Sequence, residues 1–290
     1  MRGIRRAGAA LTIAGALALA GCSAGEPGES DGGDGTAEEN GDGGDGGGDG
    51  LTVGIKFDQP GLGLQEGSDY TGMDVDVAEY VAEQLGVGPG NIEFVEAVSA
   101  QRETMLMNEQ VDMIVATYSI TDERDAQVDF AGPYFVAGQD LLVNADANEI
   151  TGPDALDGKV LCSVEGSTSA ERIRDEYSEG VELYPASGYS ECVELLSSGT
   201  VDAVTTDDAI LAGYAAQDSY EGQFKVVGNP FSEENYGVGL PPGSDMCQDV
   251  TDALTQMIDD GTWDDMVAEH FGDDYTPNPD LNPPSPESCG

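Results

Sequence analysis

Arg124 ends a polar run, Ala116-Thr117-Tyr118-Ser119-Ile120-Thr121-Asp122-Glu123-Arg124, that follows the apolar stretch 111–115. Asp207 ends a second such run, in which Thr205 and Thr206 follow Val201-Asp202-Ala203-Val204, and Gly166-Ser167-Thr168-Ser169 forms a third. A guanidinium offers a carboxylate a bidentate fork, and a carboxylate offers an ammonium its counter-charge. If Arg124 and Asp207 face one cavity, they suit a small zwitterion bearing both groups, because a buried charge left unpaired is costly. The chain has ten lysines and arginines against 57 aspartates and glutamates. Cations are scarce enough that an idle Arg124 is unexpected. The plainer alternatives are a surface pair of Arg124 with Asp122 or Asp129, and a helix N-cap for Asp207.

The surrounding pattern says what must position these groups. From Leu51 onward, short apolar runs alternate with amphipathic stretches, the pattern of an α/β domain. Residues 51–56 read as a strand and 74–85 as a helix, with Val77, Val81 and Leu85 on one face and Gly86 ending it. Strand, helix and strand follow at 91–96, 101–107 and 111–115. A second series opens with a strand at 159–163 and continues with a helix from Ser169, a strand near Val181, a helix at 189–196 and a strand at 201–205. Val111-Asp112 and Val201-Asp202 each follow a helix and a short turn and lead into a buried strand and small hydroxylated residues, as two lobes built on one plan would show. In open parallel sheets, ligands sit beyond the carboxyl ends of strands, near helix N-termini whose free N–H groups attract anions. The three polar runs occupy such corners, and Thr168 with Glu171 has the spacing of a capping box.

The N-terminal 22 residues read as a targeting segment. Arg2, Arg5 and Arg6 precede an apolar run over 7–21 that is shorter than the roughly 20 residues a spanning helix needs. Leu19-Ala20-Gly21-Cys22 resembles a lipobox, which makes Cys22 the expected lipidation site. Residues 23–50, rich in Gly, Asp, Glu and Ser, read as a disordered tether. Cys162, Cys192, Cys247 and Cys289 remain, an even number that suits two disulfides in an exported chain with three possible connectivities. Pairing Cys162 with Cys192 and Cys247 with Cys289 keeps each bridge within one lobe. The cysteines lack C-x-x-C spacing and His270 is the one histidine, so no metal site is expected. So acidic a chain would repel nucleic acid, whose binding rests on cations neutralising phosphates.

Gly72-Met73-Asp74-Val75-Asp76, the stretch from Val111-Asp112 through Thr121-Asp122-Glu123-Arg124 to Val128-Asp129-Phe130, Gly158-Lys159-Val160, Gly166-Ser167-Thr168 and Tyr236-Gly237-Val238 together resemble the family 3 extracellular solute-binding proteins. Lys56-Phe57-Asp58-Gln59-Pro60-Gly61, Ser99-Ala100-Gln101-Arg102-Glu103 and Leu161-Cys162-Ser163-Val164 resemble the glutamate-binding lipoproteins of actinobacterial uptake transporters. The resemblance implies a two-lobed, type II periplasmic-binding-protein-like Venus flytrap. Residues 51–138 and 236–275 would form the first lobe and 139–235 the second, with hinge strands near 140–144 and 236–240 and a surface tail over 276–290. It implies that Arg124, with the N–H groups of Ser119 and Thr168, clamps an α-carboxylate. Ala116 and Ser119 would lie beside an ammonium paired with Asp207, and Arg102 would take a side-chain carboxylate. Thr117, Ser167, Thr206 and Lys56 complete the expected ligand-binding set, although Arg102 and Lys56 also read as surface charges. The implied ligand is an amino acid, glutamate ahead of aspartate or glutamine. The implied partner is an ABC permease, with no cofactor and no catalysis, for a lipid-anchored monomer on the extracellular face. A sensor domain feeding a receptor and an enzyme built in the same cleft are the alternatives. Two features depart from the family pattern: Met73 stands where an aromatic is usual, and no aromatic is evident near Val98 and Ser99. Phe57, Tyr118 or Tyr236 is expected to supply the missing wall.

The acidic excess reads as an adaptation to a salty exterior. Because salt screens self-repulsion between exposed charges, the thermal midpoint is expected to rise between low and molar sodium chloride. A midpoint that stays level or falls across that range would count against this reading.

Overall fold

The computed structural model describes residues 50–177, 180–272, 275–287 and 289. The targeting segment with Cys22, and the tether up to residue 49, lie outside the described residues. The folded chain opens with β1 (Leu51–Ile55) and a small antiparallel sheet of β2 (Asp58–Gln59), β3 (Gly63–Glu66) and β4 (Asp69–Thr71), which the hydropathy pattern does not announce. Helix α1 (Met73–Gln84), β5 (Ile92–Glu96), α2 (Arg102–Met107), β6 (Met113–Ile114), α3 (Asp122–Asp125) and β7 (Asp129–Ala137) complete the first half. The second half contains β8 (Gln139–Asn144), β9 (Val160–Val164), α4 (Thr168–Glu176), β10 (Glu182–Ala186), α5 (Tyr189–Ser197), β11 (Ala203–Asp207), α6 (Asp208–Ala215) and β12 (Phe224–Val226). The chain then returns through β13 (Glu234–Leu240), α7 (Cys247–Asp259) and α8 (Thr262–His270).

Two five-stranded sheets organise the molecule, in the orders β5-β1-β6-β13-β7 and β10-β9-β11-β8-β12. In each, three neighbouring strands run parallel and the other two pair antiparallel, so the two lobes share one plan. The repeated Val-Asp has a structural reason. Asp112 accepts a hydrogen bond from the Thr52 N–H at 2.7 Å, and its own N–H donates to the Thr52 carbonyl at 2.8 Å. Asp202 does the same at Val160, with 2.8 Å in both directions. Each aspartate thus fastens the entry of a central strand to the start of its parallel neighbour, while Val111 and Val201 are buried beside it.

The sheets are covered on both faces, as parallel strands require. In the second lobe the alternation of side chains sorts the core. Leu141, Val143, Leu161 and Ala203 meet Ile173 of α4, whereas Leu142, Cys162 and Val204 meet Val193 and Leu196 of α5. In the first lobe, α1 and α7 pack on one face, and Leu106 of α2 joins Ile114 and Tyr118 on the other. The segments expected as hinge strands each belong to one sheet, 140–144 to the second as β8 and 236–240 to the first as β13. The chain changes sheet at Gly138 and over residues 227–233. These two crossings touch: a side-chain carbon on Gly138 would lie 2.7 Å from Pro230 Cβ.

Cys162 is bonded to Cys192 and Cys247 to Cys289, each pair joining parts of one lobe. The second bridge holds a C-terminal segment that lies along the open edge of β7. Glu287 and Gly132 exchange backbone hydrogen bonds, and the Asn282 side chain pairs with both backbone groups of Val136. The tail therefore caps an edge strand that would otherwise present unpaired groups.

The Cys162–Cys192 bridge spans a sequence separation of 30. In the chain-entropy model a loop of that size contributes about 3–4 kcal/mol. Replacing both cysteines by alanine is expected to lower urea-unfolding stability by about that amount without changing the far-ultraviolet dichroism.

Candidate functional site

Five strand-to-helix corners converge between the lobes. From the first lobe, β5 leads through Ser99 into α2, and β6 leads through Thr117 and Ser119 towards α3. From the second, β9 leads into α4, β10 into α5 and β11 into α6. They converge on a narrow cavity between the lobes. Ser99, Arg102, Thr117, Ser119 and Arg124 line it from one side. Ser167, Thr168, Ser169, Thr206 and Asp207 line it from the other, joined by Tyr189 and Ile210. Eight of the ten expected ligand-binding residues thus share one opening, which sequence spacing could suggest but not place.

Arg124 sits in α3, whose N-cap Thr121 accepts a hydrogen bond from the Arg124 N–H through its side chain. Its guanidinium donates from Nη1 to the Ser119 carbonyl at 2.8 Å and from Nη2 to the Gly166 carbonyl at 3.0 Å, so it already spans the two lobes. Nε lies 3.2 Å from a Glu103 carboxylate oxygen. One N–H on each terminal nitrogen is left over, the number a carboxylate needs for a bidentate pair. Arg102 is buried rather than exposed. Nη1 donates to the Ala116 carbonyl at 3.0 Å, and Nη2 has no hydrogen-bond partner among the described residues. Burial first, and the nearby Arg124 second, lower its pKa to about 10.

Two guanidiniums so close repel, and Tyr118 eases that repulsion. Its ring centroid lies 4.1 Å from Arg102 Cζ and 5.1 Å from Arg124 Cζ. The negative face of an aromatic ring attracts a cation without neutralising it. Tyr118 therefore steadies both charges and leaves their positive potential directed at whatever enters the cavity. It is fully buried, stacks edge-on against Phe130, and fits because Gly239 lacks a side chain where the ring passes.

Asp207 faces this pair. It occupies the N-cap position of α6, but its side chain makes no capping hydrogen bond. Instead Oδ2 accepts from the Tyr236 hydroxyl at 2.7 Å, and Oδ1 lies 3.5 Å from the Ser169 hydroxyl. Burial, then the nearby Glu234, push its pKa up to about 8. Asp74 plays a different part. It accepts from the Thr117 N–H at 2.9 Å and the Tyr134 hydroxyl at 2.6 Å. Thr117 has φ 45°, a conformation that is rare for a β-branched residue and stored mainly at functional sites. Asp74, and hence the Gly72-Met73-Asp74 motif, pins the turn that presents Thr117 and Ser119 to the cavity.

Several expectations need correction. Ala116 is buried but does not line the cavity, and its carbonyl is occupied: Arg102 Nη1 at 3.0 Å and the Thr117 hydroxyl at 2.8 Å use both lone pairs. Lys56 lies behind the wall. Its Nζ donates to Ser99 Oγ at 2.8 Å, and its pKa is lowered well below the usual value by burial and by Arg102. The N-cap of α4 is Ser167, whose Oγ accepts from the Ala170 N–H at 3.0 Å, so Thr168 is the first helical residue and not the cap. The aromatic wall comes from Tyr189. Phe57 packs on Tyr70, Tyr118 lies beneath the arginines and Tyr236 behind Asp207. Tyr189 follows Gly188 at the corner between β10 and α5. Applying the strand-end rule to that fourth corner would have found it. His270 is bonded to Asp76 at 2.5 Å and is not part of the cavity wall.

A family model described as bacterial extracellular solute-binding proteins, family 3, matches residues 51–273. The glutamate-binding protein GluB of Corynebacterium glutamicum is 46% identical over 90% of this chain and 90% of its own. The ABC transporter glutamine-binding protein GlnH of Bacillus subtilis is 34% identical over 78% of this chain and 82% of its own. Among solved structures, an ancestral arginine-binding protein bound to arginine superposes with a TM-score of 0.72 at 33% identity, covering 77% of this chain and 99% of that one.

The raised Asp207 pKa of about 8 has a sign that can be measured. An unfolded aspartate titrates near 3.9, so between about 4 and 8 the folded chain holds a proton that the unfolded chain has released. Stability linked to Asp207 is complete below about 4 and is lost as pH rises through about 8. Urea unfolding of the ligand-free protein should show Asp207→Asn reducing the slope of stability against pH over that window. Parallel slopes for variant and wild type would count against the assigned environment.

Proposed function

The chain belongs to the bacterial extracellular solute-binding proteins of family 3, and from that premise we propose that it is the amino-acid-binding component of an ABC importer, with glutamate as its ligand. One observation carries this reading: two guanidiniums, Arg102 and Arg124, share a ring at Tyr118 and line a narrow cavity with a single carboxylate, Asp207. Glutamate is complementary, with two carboxylates and one ammonium. Its α-carboxylate would take the two remaining N–H groups of Arg124, and its side-chain carboxylate the free Nη2 of Arg102. Its ammonium would pair with Asp207, holding that carboxyl group ionised.

The names of the relatives support the class. GluB is called a glutamate-binding protein and GlnH an ABC transporter glutamine-binding protein. We read the chain as a binder and not an enzyme because each charge in the cavity wall has a counterpart on a free amino acid. Contacts from both lobes would make ligand binding favour the closed arrangement, with flexing where the chain crosses between sheets at Gly138 and over residues 227–233. Monomeric delivery to a membrane permease, with a lipid on Cys22 as the anchor, completes the proposal.

Micromolar binding corresponds to about 8 kcal/mol, and truncating one member of a buried charge pair typically costs 2–5 kcal/mol. Calorimetry on Arg124→Ala is therefore expected to show at least a thirtyfold loss for glutamate and for glutamine alike. Arg102→Ala should weaken glutamate at least tenfold more than glutamine. Equal losses for the two ligands in Arg102→Ala would remove the side-chain role, and near-normal affinity in Arg124→Ala would remove the site.

A further inference from the structure

Outside the cavity, the two lobes meet along a seam in which the second lobe repeatedly presents glycine. Gly213 lies inside α6, where no turn or positive φ requires it. Glycine is among the poorest helix formers, and one inside a helix usually has a packing or functional reason. Here a side-chain carbon would lie 2.1 Å from the carbonyl oxygen of Pro60, in the segment after β2 of the first lobe. Gly188 precedes α5 in an extended conformation open to any residue, φ −146° and ψ 159°. A side-chain carbon there would lie 2.6 Å from Asp58 Oδ2. At a third point, Gly166, the added carbon would lie 2.6 Å from Ala100 Cα, although its φ of 74° demands glycine for a separate reason.

Hydrogen bonds join the lobes at the same places. The Ser190 N–H and hydroxyl both donate to Asp58 Oδ2 at 3.2 Å, and the Tyr214 hydroxyl donates to the Asp58 carbonyl. Neither Gly188 nor Gly213 lines the cavity. We propose that Gly213 and Gly188 are positioning residues that set ligand affinity without touching the ligand. By carrying no side chain, they let the Asp58–Pro60 segment of the first lobe seat against α5 and α6 and so bring the two walls of the cavity together. The inference rests on the amino-acid-binding reading above. It adds that closure is limited by the space of single methyl groups at two positions remote from the charged site.

The two positions differ in a way that grades the effect. At 213 the obstacle is a backbone carbonyl, which cannot move without shifting β2. At 188 it is the end of the Asp58 side chain, which can swing aside at the cost of its bonds to Ser190. Alanine at 213 should therefore weaken binding more than alanine at 188.

The test uses the full chain, with glutamate and glutamine as probes. Gly213→Ala is expected to keep or raise the ligand-free melting point, since alanine favours the helix, while glutamate affinity in calorimetry falls at least tenfold. Its radius of gyration by small-angle scattering, in saturating glutamate, should stay at the ligand-free value while that of the wild type shrinks. Gly188→Ala should lose a few-fold, and most of that loss should vanish in an Asp58→Ala background, where the obstructing carboxylate is gone. Wild-type affinity and compaction in Gly213→Ala would overturn the inference while leaving the binding site intact. A ligand-free melting point that drops in step with affinity would assign this glycine to the fold and overturn it too. A wild-type chain that binds neither amino acid would instead overturn the functional reading, and this inference with it.

Discussion

The structure is organised around keeping two buried guanidiniums charged, close together and incompletely satisfied. Burying a cation costs several kcal/mol even after relaxation, and burying two side by side adds their repulsion. Backbone carbonyls of Ala116, Thr117, Ser119 and Gly166 meet part of that cost. The Tyr118 ring beneath both cations and the Glu103 carboxylate beside Arg124 meet more. None of these partners uses up all the N–H groups. The residual demand for negative charge is what the cavity offers a ligand, and Asp207 across the gap, poorly solvated and with a raised pKa, has the opposite demand. A zwitterion meets both demands together.

That arrangement depends on backbone held out of its ordinary conformation. The turn after β6 must present two successive carbonyls to Arg102 and a third to Arg124, and it does so with Thr117 at positive φ. Such a conformation persists only when its surroundings over-determine it. Asp74 supplies the constraint from the first turn of α1, and Tyr134 in β7 holds Asp74 in turn. Strain at the site is thus supported by three elements of the first lobe, which explains why a motif as far from the cavity as Gly72-Met73-Asp74 matters to it.

The second lobe contributes by docking. Its sheet repeats the plan of the first, down to the aspartate that clamps the entry of the central strand. Its helices α5 and α6 meet the first lobe at glycines and at Asp58, which accepts from Ser190 and Tyr214.

Much of this was legible in the residues themselves. Alternating apolar runs specify an α/β chain because side-chain period and burial are local properties. The scarcity of cations marked Arg124, and the even count of cysteines left once Cys22 is set aside marked two bridges. The location of ligand groups at strand ends follows from the topology of any parallel sheet, so Ser119, Thr168, Thr206 and Asp207 could be named in advance. What the sequence could not carry was direction. Whether Arg102 is exposed or buried, whether Lys56 faces the cavity or stands behind Ser99, and which of several tyrosines forms the wall depend on how elements distant in the chain pack. The same holds for the seam, because a glycine in a helix reads as a weak residue until the carbonyl of Pro60 is placed against it. Composition and periodicity determined the elements and the inventory of charges, whereas only tertiary structure decided which charges stay unsatisfied, because satisfaction is a property of neighbours brought together from across the chain.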